Sequence, residues 1–222
     1  MRGKFITLEG GEGTGKSTQA SLLALRLATL GVSAQLTREP GGSPGAEIMR
    51  HVLLSGVAKP LGADTEAMLF AAARDDHVRQ TILPALDAGK WVICDRFADS
   101  TRVYQGVLGA VDPRLIRALE RVSIGDLKPD LTLVLDVPVE VGMKRAAGRR
   151  RGGKADRFEA EDIDFHRKLR KAYLELASVE NDRCVVIDAK APKKMVAHRI
   201  WEIVQLQLKP EKVPAELQSV AS

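Results

Sequence analysis

The strongest constraint on the fold is a glycine-rich segment near the start of the chain. Gly10, four further residues and then Gly15-Lys16-Ser17 match the pattern G-x-x-x-x-G-K-[ST]. An apolar run at 5–8 precedes the segment and predicts a strand, and a leucine-rich run at 16–30 follows it and predicts a helix. Glycines let backbone N–H groups approach an anion closely, and a helix N-terminus adds positive charge. We therefore interpret the segment as a phosphate-binding loop, and an ordinary glycine turn is the alternative.

The rest of the chain alternates between apolar strands and helices. Strands are predicted at 5–8, 34–36, 91–94, 131–135 and 184–187, and helices at 16–30, 45–53, 63–80, 113–123, 139–150, 163–179 and 193–208. Continuous apolar strands are typical of a parallel sheet that is covered on both faces. The expected fold is α/β, with a doubly wound, mostly parallel five-stranded sheet in a single domain at 1–208. A glycine-flanked basic segment predicts a small mobile lid at about 145–158, and the tail at 209–222 is expected to be flexible.

Composition narrows the possible partners. The chain has 222 residues with a net charge of +5, and the basic excess is concentrated between Lys144 and Arg157. This cluster lacks interleaved aromatic residues, so it favours small polyphosphates over nucleic acid. No apolar run approaches the ~20 residues that span a bilayer, and the first strand leaves no room for a signal peptide. Cys94 and Cys184 are expected to be buried thiols, which fits a cytoplasmic location, and the four histidines surface or packing residues.

Charged residues follow the predicted strands. The second strand leads into Thr37-Arg38-Glu39-Pro40, the third into Asp95-Arg96-Phe97 and the fourth into Asp136. Ligands of open α/β sheets bind at the carboxyl ends of the strands, so these residues and the glycine loop predict one anion-binding site.

Five further segments resemble bacterial thymidylate kinase. They are "TREPGGSPGAE", "LFAAARDDH", "DRFADSTRVYQG", "KPDLTLVLDVPVEVGMKRA" and "DRFE", and the resemblance extends from residue 5 to about 208. It implies a P-loop kinase fold, the formation of dTDP from dTMP and ATP with Mg²⁺, and a homodimer. From the composition, neither a membrane nor a nucleic-acid partner is expected.

The resemblance also implies which residues hold the phosphates and the metal. Lys16 would follow the transferred group, and Arg96 would bind the acceptor phosphate with help from Arg38, which alternatively orders its own loop. Ser17 and Asp95 would hold Mg²⁺, although Asp95 alternatively caps its strand or pairs with Arg96. The ATP phosphates would lie against Gly10, Gly11, Glu12, Gly13, Thr14, Gly15, Lys16, Ser17 and Thr18.

A base pocket is implied by the same resemblance. Phe70 would stack on thymine and Arg74, one helical turn away, would contact a ring carbonyl. Tyr104 would crowd the 2′ position of the sugar and so favour deoxyribose. Core packing is the alternative for both aromatic residues. The remaining residues assigned to dTMP are Glu12, Arg38, Arg96, Ser100, Thr101 and Gln105.

Glu12 is unexpected in a loop that attracts phosphates. It could accept a hydrogen bond from the 3′-hydroxyl of dTMP, or meet the cation directly or through water. The loop contains no arginine, which resembles the family members that supply arginines from the lid. Arg149 is then preferred as the catalytic lid residue, followed by Arg150 and Arg151, and a solvated charged loop is the alternative. The chain departs from the family pattern at Ser43, where threonine is usual, and in a lid about two residues longer.

Other classes of function remain as alternatives. A related nucleoside or nucleotide kinase would differ in its acceptor. A P-loop switch protein usually carries an N-K-x-D-like guanine-reading motif, and the sequence has none. A nucleic-acid-dependent ATPase would be stimulated by DNA or RNA in a salt-dependent way.

Overall fold

The computed structural model describes residues 2–149 and 157–211. Within them, five parallel strands form one sheet in the order β2-β3-β1-β4-β5. The strands are β1 (Phe5–Glu9), β2 (Ala34–Arg38), β3 (Trp91–Asp95), β4 (Leu131–Asp136) and β5 (Cys184–Asp188). The predicted α/β fold with a five-stranded sheet is confirmed, and the described sheet is wholly parallel. Each strand runs one or two residues beyond its predicted end, because backbone pairing continues into polar residues that the apolar pattern does not include.

The two edge strands differ from the expectation. β1 and β4 are buried along nearly their whole length, whereas β2 has only half-buried and exposed residues and β5 mixes buried with exposed positions. The prediction that every strand is buried on both faces is therefore wrong for β2 and β5. Their outer sides have no neighbouring strand in the described sheet, so side chains such as Leu36 and Val186 remain partly exposed.

The described helices lie on both faces of the sheet. Ile6 and Leu8 of β1 pack with apolar residues of the first and last helices, whereas Phe5 packs on the other face with Val78 and Ile82. This alternation along one strand gives the doubly wound arrangement. The α-helices are α1 (Lys16–Ala28), α2 (Pro44–Ser55), α3 (Ala63–His77), α4 (Leu83–Asp87), α5 (Ala98–Thr101), α6 (Pro113–Ile124), α7 (Val139–Arg149), α8 (Ile163–Val179) and α9 (Lys193–Leu208).

The sequence pattern predicted neither α4 nor α5, and it did not reveal two π-helical segments beside them. The helix expected at 63–80 stays α-helical only to His77, where a π-helical turn at Val78–Ile82 begins and leads into α4. A second π-helical segment, Arg102–Leu108, continues α5 and carries Tyr104 and Gln105. Wide turns of this kind are frequent at functional sites. They have no distinct apolar period, so the sequence pattern does not reveal them.

The remaining expectations concern the thiols, the lid and the tail. Cys94 and Cys184 are buried and free, as predicted. Residues 150–156 of the predicted lid lie outside the described residues, as does the predicted tail beyond residue 211. No helix within 2–149 or 157–211 is both long enough and apolar enough to cross a membrane.

Candidate active site

The glycine loop connects β1 to α1 at the carboxyl edge of the sheet. Gly10, Gly13 and Gly15 have φ values of 128°, 68° and 96°, a region that residues with side chains rarely adopt. A Cβ on Gly13 would lie 1.9 Å from the carbonyl oxygen of Gly142, and one on Gly10 would lie 2.4 Å from that of Leu135. The loop therefore requires glycine for its conformation and for close packing under it. Gly15 directly precedes α1, so the N-terminus of that helix opens at the loop.

Lys16 is held against its own loop. Its Nζ donates hydrogen bonds to the carbonyl oxygens of Gly10 at 3.1 Å and Gly11 at 2.8 Å. Burial lowers the pKa of Lys16, and the nearby charge of Arg96 lowers it further, whereas the carboxylates of Glu12 and Asp95 oppose the shift. Thr14 also donates to the Gly11 carbonyl, at 3.0 Å. The ammonium group of Lys16 thus lies against the loop carbonyls, near the carboxylates of Glu12 and Asp95.

The two residues assigned to the metal contact each other. Ser17, in the first turn of α1, donates a hydrogen bond to Oδ2 of Asp95 at the end of β3. Hydroxyl and carboxylate oxygens are ligands that Mg²⁺ accepts, usually together with water and substrate phosphates. These residues therefore fit a magnesium ion. The alternative that Asp95 pairs with Arg96 is not what the structure shows, because the guanidinium lies against Glu12 instead.

Glu12, Arg96 and Tyr104 form a cluster beside the loop. Nη2 of Arg96 pairs with Oε1 of Glu12, and the Tyr104 hydroxyl donates to the same carboxylate oxygen at 3.3 Å. The guanidinium lies over the Tyr104 ring, 5.2 Å from its centre. Burial raises the pKa of Tyr104, so the phenol stays neutral and acts as a donor. The unexpected carboxylate of the glycine loop is thus balanced by the arginine assigned to the acceptor phosphate.

Arg74 forms the floor of an adjoining pocket. Its side chain is 2% exposed, and Nε donates to Oε2 of Glu39 at 2.8 Å. Nη2 donates to Thr101 Oγ1 at 2.8 Å and to the Phe97 carbonyl at 3.3 Å. Glu39 in turn contacts Nδ1 of His77 at 3.0 Å. These buried contacts hold the Arg74 guanidinium in one orientation.

One cleft contains both halves of the predicted site. It has a cavity volume of about 230 Å³ and runs from the glycine loop, at Lys16 and Ser17, past Asp95 to the pocket. All residues assigned to dTMP line it: Glu12, Arg38, Phe70, Arg74, Arg96, Ser100, Thr101, Tyr104 and Gln105.

Some assigned residues lie elsewhere. Gly10, Gly11 and Thr14 line a smaller cavity behind the glycine loop, and Thr18 is exposed on α1. The Arg149 side chain, Arg150 and Arg151 lie outside the described parts of the chain.

The sequence pattern did not place Phe158 in the cleft or Arg157 beside it. Phe158 lies 5.1 Å from Tyr104 and 6.2 Å from Phe70 between ring centres, so it adds a third aromatic wall. Arg157 lies over the Phe158 ring at 4.5 Å and donates to Glu66 of α3 at 2.7 Å. Both belong to "DRFE", a motif of the family resemblance, and Arg157 also ends the basic cluster of the predicted lid.

Two buried groups beside the cleft were also not assigned a role. Glu9, the last residue of β1, lies just beyond the strand predicted at 5–8. His77 was expected to be a surface or packing residue; it is fully buried and contacts Thr37 at 2.7 Å as well as Glu39. No motif singles out either residue, because their roles depend on contacts far apart in sequence.

The fold and the geometry of the site define the class of protein. The parallel sheet, the glycine loop after β1 and the strand-end Asp95 beside Ser17 define the class of P-loop kinases. The sequence profile of the Thymidylate kinase family matches residues 8–200. The chain belongs to this family.

Individual relatives agree with the family match. The chain is 67% identical over 201 residues to the thymidylate kinase of Nitrobacter winogradskyi, covering 90% of this chain and 87% of that protein. It is 63% identical over 207 residues to the thymidylate kinase of a Bradyrhizobium species, covering 93% and 92%. A crystal structure of thymidylate kinase from Ehrlichia chaffeensis superimposes with a TM-score of 0.75 at 33% identity, covering 92% of this chain and all of that one.

Proposed function

We propose that this protein transfers the terminal phosphoryl group of ATP to dTMP, giving dTDP and ADP. The observation that carries the proposal is the single cleft in which the glycine loop and the pocket around Phe70 and Arg74 meet. Membership in the thymidylate kinase family supports dTMP as the acceptor. An oxygen of the dTMP phosphate attacks the terminal phosphorus of ATP, and ADP leaves with the electron pair of the broken bond.

The donor half of the site is the glycine loop with Lys16, Ser17 and Asp95. Backbone N–H groups of the loop and the N-terminus of α1 bind the ATP phosphates. Ser17 and Asp95 would hold Mg²⁺, which would supply positive charge against the phosphates during transfer. Lys16 exchanges the Gly10 and Gly11 carbonyls for phosphate oxygens when ATP binds. Phosphoryl transfer needs positioning and charge stabilisation more than covalent chemistry, and these groups supply both.

The acceptor half is the pocket. The Arg96 guanidinium presents a planar fork that matches two phosphate oxygens, and it leaves Glu12 to bind them. Glu12 is then available to the 3′-hydroxyl or to the cation. Phe70 and Phe158 enclose the thymine ring, and Arg74 reads a ring carbonyl with a guanidinium that its buried partners already orient. Tyr104 occupies the space that a 2′-hydroxyl would need.

The lid, the assembly and the location extend the proposal. Arg149 and Arg150, which belong to the lid predicted at about 145–158, are proposed to bind the ATP phosphates. We propose a homodimer, which exposed apolar residues on α2 and α3 such as Ile48 and Met68 support, and sedimentation velocity tests this. We further propose a single domain at 1–208, a cytoplasmic location, and no nucleic-acid or membrane partner.

An acceptor panel tests the proposed reaction. Protein, Mg²⁺ and ATP are mixed separately with dTMP, dUMP, dCMP and thymidine, and the nucleotides are separated by anion-exchange chromatography. We expect dTDP from dTMP at a far higher rate than product from the other acceptors. A preference for dCMP or thymidine would indicate another kinase of this fold. ADP that forms only when DNA or RNA is added would indicate a nucleic-acid-dependent ATPase.

A further inference from the structure

Glu9 is a carboxylate with no exposed surface, at the junction of β1 and the glycine loop. Burying a carboxylate is costly unless hydrogen bonds compensate for the lost water. Three donors surround it: the backbone N–H of Phe97 at 2.7 Å, the Ser100 hydroxyl at 2.7 Å and the Tyr173 hydroxyl at 3.0 Å. These donors come from the segment after β3 and from α8, so a single side chain connects three parts of the fold beside the cleft.

The same two hydroxyls also contact Arg96. Its Nη1 donates to the Tyr173 hydroxyl at 3.1 Å and to Ser100 Oγ at 3.4 Å. A guanidinium can only donate, and each hydroxyl has a single hydrogen. When both hydroxyls donate to the ionised Glu9, their lone pairs remain directed at Arg96. Glu9 therefore sets the direction of the two hydroxyls that accept from the arginine.

Glu9 also fixes the backbone at Arg96. Arg96 has a φ of 71°, an unfavourable region for a residue with a side chain. Its own N–H donates to the Leu8 carbonyl at 2.9 Å, and the next N–H, that of Phe97, donates to Glu9. Consecutive residues of β1 thus hold the main chain on both sides of the strained position.

We propose that Glu9 is a positioning residue for the acceptor phosphate, acting on Arg96 through the hydroxyls of Ser100 and Tyr173. The inference rests on the proposed function, because it takes the 5′-phosphate of dTMP as the group that Arg96 binds. Glu9 does not touch the substrate. It keeps the Arg96 guanidinium oriented before dTMP arrives. When dTMP binds, the guanidinium then only has to exchange its contact with Glu12 for a contact with the phosphate.

The test is the replacement Glu9→Gln, which keeps the shape of the side chain. If the amide oxygen accepts from Phe97, the amide NH₂ faces the two hydroxyls, and their hydrogens turn towards Arg96 or each other. At pH 8, isothermal titration calorimetry should show a loss of dTMP affinity of about tenfold, as expected for a perturbed hydrogen bond to a charged group. The affinity for thymidine, which lacks the phosphate, should stay unchanged, and the KM for dTMP should rise while the KM for ATP does not.

Two further variants complete the design. Tyr173→Phe removes one bridging hydroxyl and keeps the ring, so it should lower dTMP affinity in the same phosphate-specific way even if Glu9→Gln folds poorly. Glu120→Gln, which replaces a mostly buried carboxylate bound to Arg102 outside the cleft, is the matched control and should bind both ligands normally.

The outcomes separate the inference from the function on which it rests. Equal losses for dTMP and thymidine, or unchanged dTMP binding in both Glu9→Gln and Tyr173→Phe, would overturn the positioning role. If the wild-type protein binds dTMP no better than thymidine, this would contradict the proposed function. It would also contradict the positioning role of Glu9, which rests on that function.

Discussion

Arg74 and Glu39 form an ion pair that is almost wholly removed from water. Nε of the arginine lies 2.8 Å from Oε2 of the glutamate, and the two side chains are 2% and 5% exposed. The pair joins α3 to the loop that follows β2, so it fixes the floor of the pocket. In such a position each partner depends on the other, because an unpaired buried charge is strongly unfavourable.

Replacing Arg74 should therefore destabilise the whole protein. We expect Arg74→Met to lower the free energy of unfolding by about 3–5 kcal/mol, the range for breaking a buried pair by removing one partner. Urea denaturation followed by circular dichroism measures it. Arg38→Met is the control, because the pair of Arg38 with Glu47 is half-exposed and should contribute less than about 1 kcal/mol. Similar losses in both variants would show that burial of the Arg74 pair has no special energetic role.

The pH dependence of stability should carry a contribution from Glu9. Burial, and then the nearby charge of Asp99, raise its pKa from 4.5 to about 7. Between these values the folded protein keeps a proton that the unfolded chain has lost, so stability falls as pH rises. The stability advantage of the wild type over Glu9→Gln should shrink by up to about 3 kcal/mol between pH 4.5 and 7, and then stay constant. An advantage that is constant throughout this range would contradict the raised pKa.

Tyr104 should discriminate between sugars by bulk. Its ring is held edge-on against Phe158 at 5.1 Å, and its hydroxyl is bonded to Glu12. Tyr104→Ala should narrow the preference for dTMP over its ribose analogue, by a few kcal/mol at most on the scale of kcat/KM. Tyr104→Phe keeps the ring and should keep the preference. If both variants discriminate like the wild type, another residue excludes the 2′-hydroxyl.

The arginines of the predicted lid should act on the rate. On either side of the lid core, Arg145 donates to the carbonyls of Ala189 and Lys190, and Arg157 binds Glu66, so both are already engaged. Replacing Arg149, Arg150 and Arg151 together by alanine should lower kcat at least ~100-fold, within the range for arginine fingers, with little change in the KM for dTMP.

Arg114→Ala, which removes an exposed pair with Asp112 on α6, is the control for the lid variant and should be fully active. A triple variant that keeps its kcat and loses only ATP affinity would indicate that the lid arginines bind ATP and do not accelerate the transfer. A triple variant that keeps both its kcat and its ATP affinity would indicate that the basic tract is a solvated loop.

The sequence predicted the parts of this molecule that depend on local pattern. Apolar runs located all five strands, and the glycine spacing located the loop whose backbone requires glycine at Gly13. The contacts between segments were not predictable. The pairing of Arg96 with Glu12 joins residues that are 84 positions apart, and the Tyr173 contact with Glu9 spans 164 positions. Nothing local in α8 distinguishes Tyr173 from a core aromatic, since its ring is buried and only the hydroxyl reaches the site.

The most direct test follows the terminal phosphate of ATP. Wild-type protein and Lys16→Ala are each incubated with Mg²⁺, dTMP and ATP labelled with ³²P at the terminal position, and the products are separated. Lys16 is proposed to follow the transferred group, and losing such a charge contact costs roughly 3–4 kcal/mol, so the variant should be slower by about a hundredfold or more. Lys171→Ala, on the exposed side of α8, should match the wild type. The account predicts label in dTDP with an equal amount of ADP. ADP without labelled dTDP, or a Lys16→Ala variant with normal turnover, would contradict it.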